Sequence, residues 1–389
     1  MSTIHSQPFQ HNTRGDAGLD VPAGLAGVTV ATTAVGDVRG EEGFYQYRGL
    51  PAPELAYRAT FEAVWHLLIV GHLPDAEELA AFRSTTSGLR ALPAQLRDAL
   101  PLLAASGSPM SALRSGLSLA GGGAQPWLDL HPEQRRTDVQ RLVALAPTLA
   151  AAVWRTSQGL APIEPDPTLG IAADYLRMTT GTPPSSAHAT AMERYLILTV
   201  DHGLNASTFA ARVVTSTGAD LPGALVAGLA ALAGPLHGGA PSLVLRMLQE
   251  IGSVDAVRPW VEQALASNRR IMGFGHRVYR TEDPRSVVLK ETARQLGGPL
   301  VDLAVEVERV VLEVLARRYP KRDLRTNVEF YAGVVLHLIG LPPEMFTPSF
   351  AVSRLVGWAA HVLEQTEANQ LIRPLSRYRS DDGGVGASR

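Results

Sequence analysis

The chain has 389 residues, more than one core usually organises, so a large domain with a smaller companion is expected. Hydrophobic residues make up 46% and charged residues 19%, and 35 basic against 37 acidic residues leave a net charge of -2, without the basic footprint of a nucleic-acid binder. The chain has no cysteine, which excludes a disulfide scaffold, thiol catalysis and a cysteine zinc site, and agrees with a reducing cytoplasm.

The first stretch, Met1 to Gly18, is polar, with His5, Asn12, Arg14 and Asp16, and lacks the apolar run of a secretory signal. Residues 1–20 are expected to be disordered. Val28 to Thr33 is β-rich and could pair with Phe44 to Tyr47 in a small hairpin. Phe61 to Val70 is apolar all round and reads as a buried helix, capped by Thr60 and stopped by Gly71. Asp220-Leu221-Pro222 opens another helix with an Asp cap and a Pro in the first turn, running to Gly234-Pro235. In Leu300 to Tyr319, Val307, Val310, Val311, Val314 and Leu315 share one face, and Glu306, Arg309, Glu313 and Arg317 another, the 3.6-residue period of an amphipathic helix. The tail, residues 380–389, is again expected to be disordered. No window has the roughly 20 nearly uncharged apolar residues of a membrane span. Without strand–helix alternation, the expected fold class is mainly α with a minor N-terminal β element.

Four segments set titratable side chains beside glycines or prolines. In Val200-Asp201-His202-Gly203-Leu204-Asn205, His202 ends an apolar run and reads either as a hydrogen-bonded core residue or as a ligand contact. In Gly234 to Pro241, His237 precedes a helix N-terminus, whose dipole favours a neutral imidazole able to donate to a developing enolate oxygen. The bland alternative is a glycine-rich turn with an incidental histidine. In Ile271 to Arg285, a Gly273-Phe274-Gly275 turn delivers His276, followed by Arg280 and Arg285, guanidinium groups suited to phosphate and carboxylate or else to a solvated basic face. As a dinucleotide fingerprint it lacks a preceding strand and a third glycine. In Asn327 to Tyr331, Glu329 sits between apolar residues, where burial would raise its pKa toward that of a general base; an exposed helical Glu is the alternative. His202, His237, His276 and Glu329 could in principle ligate a metal, but the short spacing of a zinc helix is missing, and no metal is expected.

Together these segments resemble the citrate synthase family. The likeness extends to Tyr47-Arg48-Gly49 with Glu54-Leu55-Ala56, to Phe61-Glu62-Ala63-Val64 through Gly71-His72-Leu73-Pro74, and to Ser108-Pro109-Met110 with Leu113-Arg114. It is completed by Met345-Phe346-Thr347, Arg354, Gly357-Trp358, Ala360-His361, Glu364 and Arg373-Pro374. It runs from about Gly24 to Tyr378.

The resemblance implies a homodimer of two-domain subunits. A large domain would span residues 21–239 and return at 339–379, and a small domain would span residues 240–338. It implies condensation of acetyl-CoA with oxaloacetate, with CoA thioester as substrate and no cofactor. Glu329 would remove the acyl α-proton, His237 would stabilise the enolate, and His276 would polarise the oxaloacetate carbonyl. His202, Arg285 and Arg354 would bind oxaloacetate, with Arg373 reaching in from the neighbouring subunit. Gly273, Phe274 and Gly275 would hold the adenine, and Arg280 a CoA phosphate.

The family usually has aspartate where Glu329 stands, and one extra methylene could displace the carboxylate by about 1 Å. A small backbone retreat would restore a working base. A 2-methylcitrate synthase using propionyl-CoA and a catalytically weak CoA- or oxaloacetate-binding paralogue are the alternatives. Neither a nucleic-acid nor a membrane partner is expected, nor the extra N-terminal domain of NADH-regulated members.

Overall fold

The structure, a computed structural model, describes residues 22–121, 126–234, 237–238, 240–276 and 278–376. The terminal segments expected to be disordered, 1–20 and 380–389, lie outside the described residues. Residues 1–33 and 34–389 form separate compact units. In the first, the one helical turn among the described residues is a 3-10 turn at Ala23–Leu25.

The second unit opens with a three-stranded antiparallel sheet, β1 (Gly36–Arg39), β2 (Phe44–Tyr47) and β3 (Leu50–Pro51). The hairpin thus differs from the expected one. Phe44–Tyr47 pairs with 36–39, in the register Val38↔Tyr45, and Val28–Thr33 is not a strand. The four-residue Gly40–Gly43 connection closes a hairpin directly, whereas pairing 28–33 would need a loop of about ten residues, costlier to order. Tyr45 and Tyr47 are fully buried and donate their hydroxyls to the carbonyls of Leu198 and Ile197, which fixes the sheet beside the loop carrying His202.

The rest is helical, as expected. α1 (Ala52–Arg58), α2 (Phe61–Val70), α3 (Ala76–Gly88), α4 (Ala94–Ala104), α5 (Pro109–Ala120) and α6 (Pro132–Ser157) come first. α7 (Ile171–Thr180), α8 (Ser186–Thr199), α9 (Ala206–Ser216) and α10 (Leu221–Leu232) follow. Then come α11 (Ala240–Ile251), α12 (Val257–Ala266), α13 (Pro284–Leu296), α14 (Pro299–Arg318), α15 (Val328–Leu338) and α16 (Phe346–Ala368). Start and stop chemistry behaves as read from the sequence. Thr60 accepts from the Ala63 N–H, Gly71 ends α2 at φ 108°, and Asp220 accepts from the Gly223 N–H at 2.9 Å.

α16 forms the spine of the core. Most of its length is buried, Trp358 completely, and it packs against α2, α6, α8, α9 and α10. Helices without a polar face need neighbours on all sides, and the apolar sequences of α2 and α16 require that central position. Farther along, α11 and α13 pack on α15, and α12 packs on α14. α13 and α15 also meet α8, bringing the His276 and Glu329 segments toward His202.

Candidate active site

Two loops deliver most of the chemistry, and backbone hydrogen bonds stitch them together. Gly275 N–H donates to the Arg325 carbonyl at 2.8 Å, Asn327 N–H to the Gly273 carbonyl at 2.9 Å, and Asn327 Nδ2 to the Gly275 carbonyl at 2.9 Å. Phe274 and Thr326 form an antiparallel bridge. Gly273 is required here: its φ is 87°, and a Cβ would lie 2.7 Å from Cβ of Phe330. The Gly-Phe-Gly turn therefore braces the segment that carries Glu329.

Asn327 caps α15 by accepting the Glu329 N–H at 3.0 Å, which places Glu329 in the first helical turn. Its carboxyl group is pushed up to about 7, first by burial; the nearby Arg285 charge opposes that shift and Asp283 adds to it. That upward shift is the one expected of a Glu set between apolar residues.

His276 is oriented from behind. Its Nδ1 lies 2.9 Å from the Val278 N–H and 3.0 Å from the Tyr279 N–H, so Nδ1 accepts. Burial, then the Arg285 charge, lowers its pKa to about 4, so the ring is neutral at pH 7 and its proton sits on Nε2. Nε2 faces Arg285 Nη2 at 3.1 Å. Arginine can only donate, so two donor nitrogens face each other there. An electron-rich oxygen placed there would satisfy both.

Arg285 is held rigidly. Asp283, 1% exposed, accepts from Arg285 Nε at 3.0 Å and Nη2 at 2.8 Å. The same carboxylate accepts the Arg285 N–H at the start of α13 and the Val328 N–H at the start of α15. His202 lies against this pair: its Nε2 is 2.9 Å from the Tyr279 hydroxyl, and its ring centroid is 5.8 Å from that of His276. Burial, followed by the charges of Arg285 and Arg354, keeps His202 neutral. Arg354, 2% exposed on α16, donates Nε to the Thr199 carbonyl at 2.8 Å. His237, just before α11, has Nε2 2.8 Å from Ser207 Oγ, and Ser207 lies in the first turn of α9 under the Asn205 cap.

Arg280 stands apart, exposed, with its backbone N–H on the Gly40 carbonyl at 3.0 Å and its guanidinium 3.9 Å from Glu41. Arg373 is exposed too, in the extended segment after α16, where Ile372 N–H donates to Ser216 Oγ at 3.0 Å. Ser207, Tyr279, Asp283 and Asn327 were not picked out from the sequence. Asp283 and Asn327 carry a readable signal, a cap residue before a helix; the contacts of Ser207 and Tyr279 exist only after folding.

Donor atoms of His66, His72 and Glu78 lie within 4.8 Å of one another, at the α2–α3 turn. Turn chemistry explains them. Glu78 completes the capping box with Asp75 and holds His72 at 3.1 Å, and His66 Nδ1 pairs with the His72 carbonyl.

The family model described as citrate synthase, C-terminal domain, matches residues 24–375. The chain belongs to the citrate synthase family. It is similar to a citrate synthase of Synechocystis sp., 40% identical over 366 residues, covering 92% of this chain and 90% of the relative. A 2-methylcitrate synthase of Mycobacterium tuberculosis is 39% identical, with the same coverage of both chains. Among solved structures, a ternary complex of carboxymethyl coenzyme A and oxaloacetate with the citrate synthase of Thermoplasma acidophilum matches with a TM-score of 0.83 and 27% identity, covering 94% of this chain and 97% of that one. The mainly helical citrate synthase fold with its small N-terminal sheet, and an acyltransferase of this type, are therefore this chain's.

Proposed function

We propose that the chain condenses acetyl-CoA with oxaloacetate through an enolate and hydrolyses the citryl thioester to citrate and CoA. The observation that carries this reading is the pair of facing donors, His276 Nε2–H and Arg285 Nη2, 3.1 Å apart. A 2-oxo acid carbonyl placed there would be polarised for attack, with Arg285 and Arg354 matching its two carboxylates. Glu329 would take the acyl α-proton, its raised pKa bringing it near the operating pH. His237, its ring anchored by Ser207, would donate to the thioester oxygen as the enolate forms. Hydrogen bonds and guanidinium groups supply the charge stabilisation, so the proposal needs no metal or other cofactor.

The same proposal includes a small domain of residues 240–338, supported by the mutual packing of α11 to α15, against a large domain of 21–239 and 339–379. It also includes a homodimer, in which an exposed Arg373 would reach the partner's oxaloacetate, and CoA contacts at Gly273, Phe274, Gly275 and Arg280. A cytoplasmic location is part of it; among the described residues no helix is long and apolar enough to cross a membrane.

The test is CoA release with oxaloacetate, comparing acetyl-CoA with propionyl-CoA in wild type and Glu329→Asp. Turnover with acetyl-CoA, reduced by the substitution, supports the proposal and a site built around glutamate. Preference for propionyl-CoA makes the chain a 2-methylcitrate synthase; one methylene is worth only ~1–3 kcal/mol, so the assay decides this and not the fold. Absence of turnover in wild type sinks the enzymatic reading in favour of a ligand-binding paralogue.

A further inference from the structure

A buried polar chain runs behind the active site and ends on the turn that presents His202. Asp201, 1% exposed, closes that turn: Oδ2 accepts the Gly203 N–H at 3.2 Å across His202, with Gly203 at φ 58°. The Asp201 carbonyl accepts the Tyr47 hydroxyl at 3.2 Å. The other carboxylate oxygen, Oδ1, lies 3.2 Å from Nε2 of His361, a fully buried residue of α16.

The far side of the His361 ring is fixed as well. Arg212, on α9 and 2% exposed, sets Nη1 3.0 Å from His361 Nδ1. Arginine only donates, so Nδ1 accepts and the ring proton on Nε2 points at Asp201. Arg212 is itself tied to Gln365 Oε1 at 3.0 Å and Glu364 Oε2 at 2.5 Å, and Glu364 Oε1 accepts the Ala34 N–H at 2.7 Å. The backbones leave no slack: a Cβ at Gly357, one turn before His361, would sit 2.1 Å from the Val200 carbonyl oxygen.

We propose that His361 is a positioning residue for His202, acting through the Asp201 carboxylate, with Arg212 selecting the ring tautomer that donates to it. His361 touches no substrate; it holds the turn in the one conformation that sets the His202 ring against Tyr279 and His276. The inference rests on the proposed role of His202 in binding oxaloacetate.

Oxaloacetate binding by calorimetry, the Michaelis constants of both substrates and the melting temperature would be measured for His361→Leu and His361→Gln, each in wild type and in His202→Ala. Leucine removes both contacts and should weaken oxaloacetate binding about tenfold, a coupling typical of one hydrogen-bonded network, with the acetyl-CoA KM changed less than about twofold. A Gln amide can accept from Arg212 and donate to Asp201, so it should recover most of the wild-type affinity. In His202→Ala the leucine change should add less than about twofold, because the residue it positions is gone. An equal loss in both backgrounds, or a glutamine variant as impaired as the leucine one, overturns the proposal. If leucine prevents folding, His361→Asn, too short to bridge Arg212 and Asp201, takes its place with the same expectations. Failure of wild type to bind oxaloacetate would instead refute the functional reading, so the two failures are separable.

Discussion

As the proposed base, Glu329 would combine two demands at one carboxyl group: it would have to lose its proton to act, yet burial raises its pKa to about 7. Rate should follow the deprotonated fraction. We expect kcat/KM to rise with pH through about 7 in the free enzyme, and Glu329→Gln to lose on the order of a hundredfold or more at every pH. Stability runs the other way. A folded pKa above the unfolded value means that the folded state binds the proton more tightly, so this group's contribution is fully present below about 4.5 and is lost as pH rises through about 7. Thermal unfolding of Glu329→Gln should therefore exceed wild type at pH 8 and converge with it toward pH 5. A constant gap across that range would refute the assignment. At His276 the pKa of about 4 runs the opposite way: the ring stays neutral around pH 7, as the proposed donor to a carbonyl oxygen requires.

At the scale of elements, Asp283 does the joining. One carboxylate caps α13, accepts the first N–H of α15 and grips Arg285 with two further bonds. Removing it leaves a buried guanidinium without its carboxylate, α13 uncapped and the first N–H of α15 without its acceptor. Asp283→Ala should cost roughly 3–5 kcal/mol in denaturant unfolding, the range for breaking a buried ion pair by deleting one partner. Asp283→Asn, which keeps the cap acceptor but not the charge, should cost less. Equal losses would show that charge rather than capping dominates. The antiparallel bridge between Phe274 and Thr326 acts similarly, joining two loops about fifty residues apart in sequence into one support for Glu329.

For the whole molecule, the decisive prediction concerns Arg373. If each active site borrows this residue from the partner, Arg373→Ala and Glu329→Gln homodimers should both be nearly inactive. Mixed and reassembled, they should recover activity, because one site of each heterodimer then has both groups intact. About a quarter of wild-type activity is the statistical expectation for a symmetric dimer with random exchange. No recovery on mixing, with heterodimers verified, would place Arg373 in its own chain's chemistry or in none.

The sequence by itself determined the helical class, the caps at Thr60 and Asp220, the buried span of α2, the amphipathic face of α14, and the glycine-flanked histidines, because period, capping and turn chemistry act within a few residues. It also marked His202, His276, Arg285, Glu329 and Arg354, whose electrostatics prove to be mutually linked. It misplaced the first strand, because pairing depends on which partner a short loop can deliver, not on β-propensity alone. Only the tertiary structure decided that Nδ1 of His276 accepts, that Arg285 and His276 bring two donor nitrogens face to face, and that Asp201, His361 and Arg212 stand in line behind His202. The last two of those facts join residues 9 to 160 positions apart. Hydrogen-bond direction is set by what folding places opposite each atom, and no local pattern in the chain encodes it.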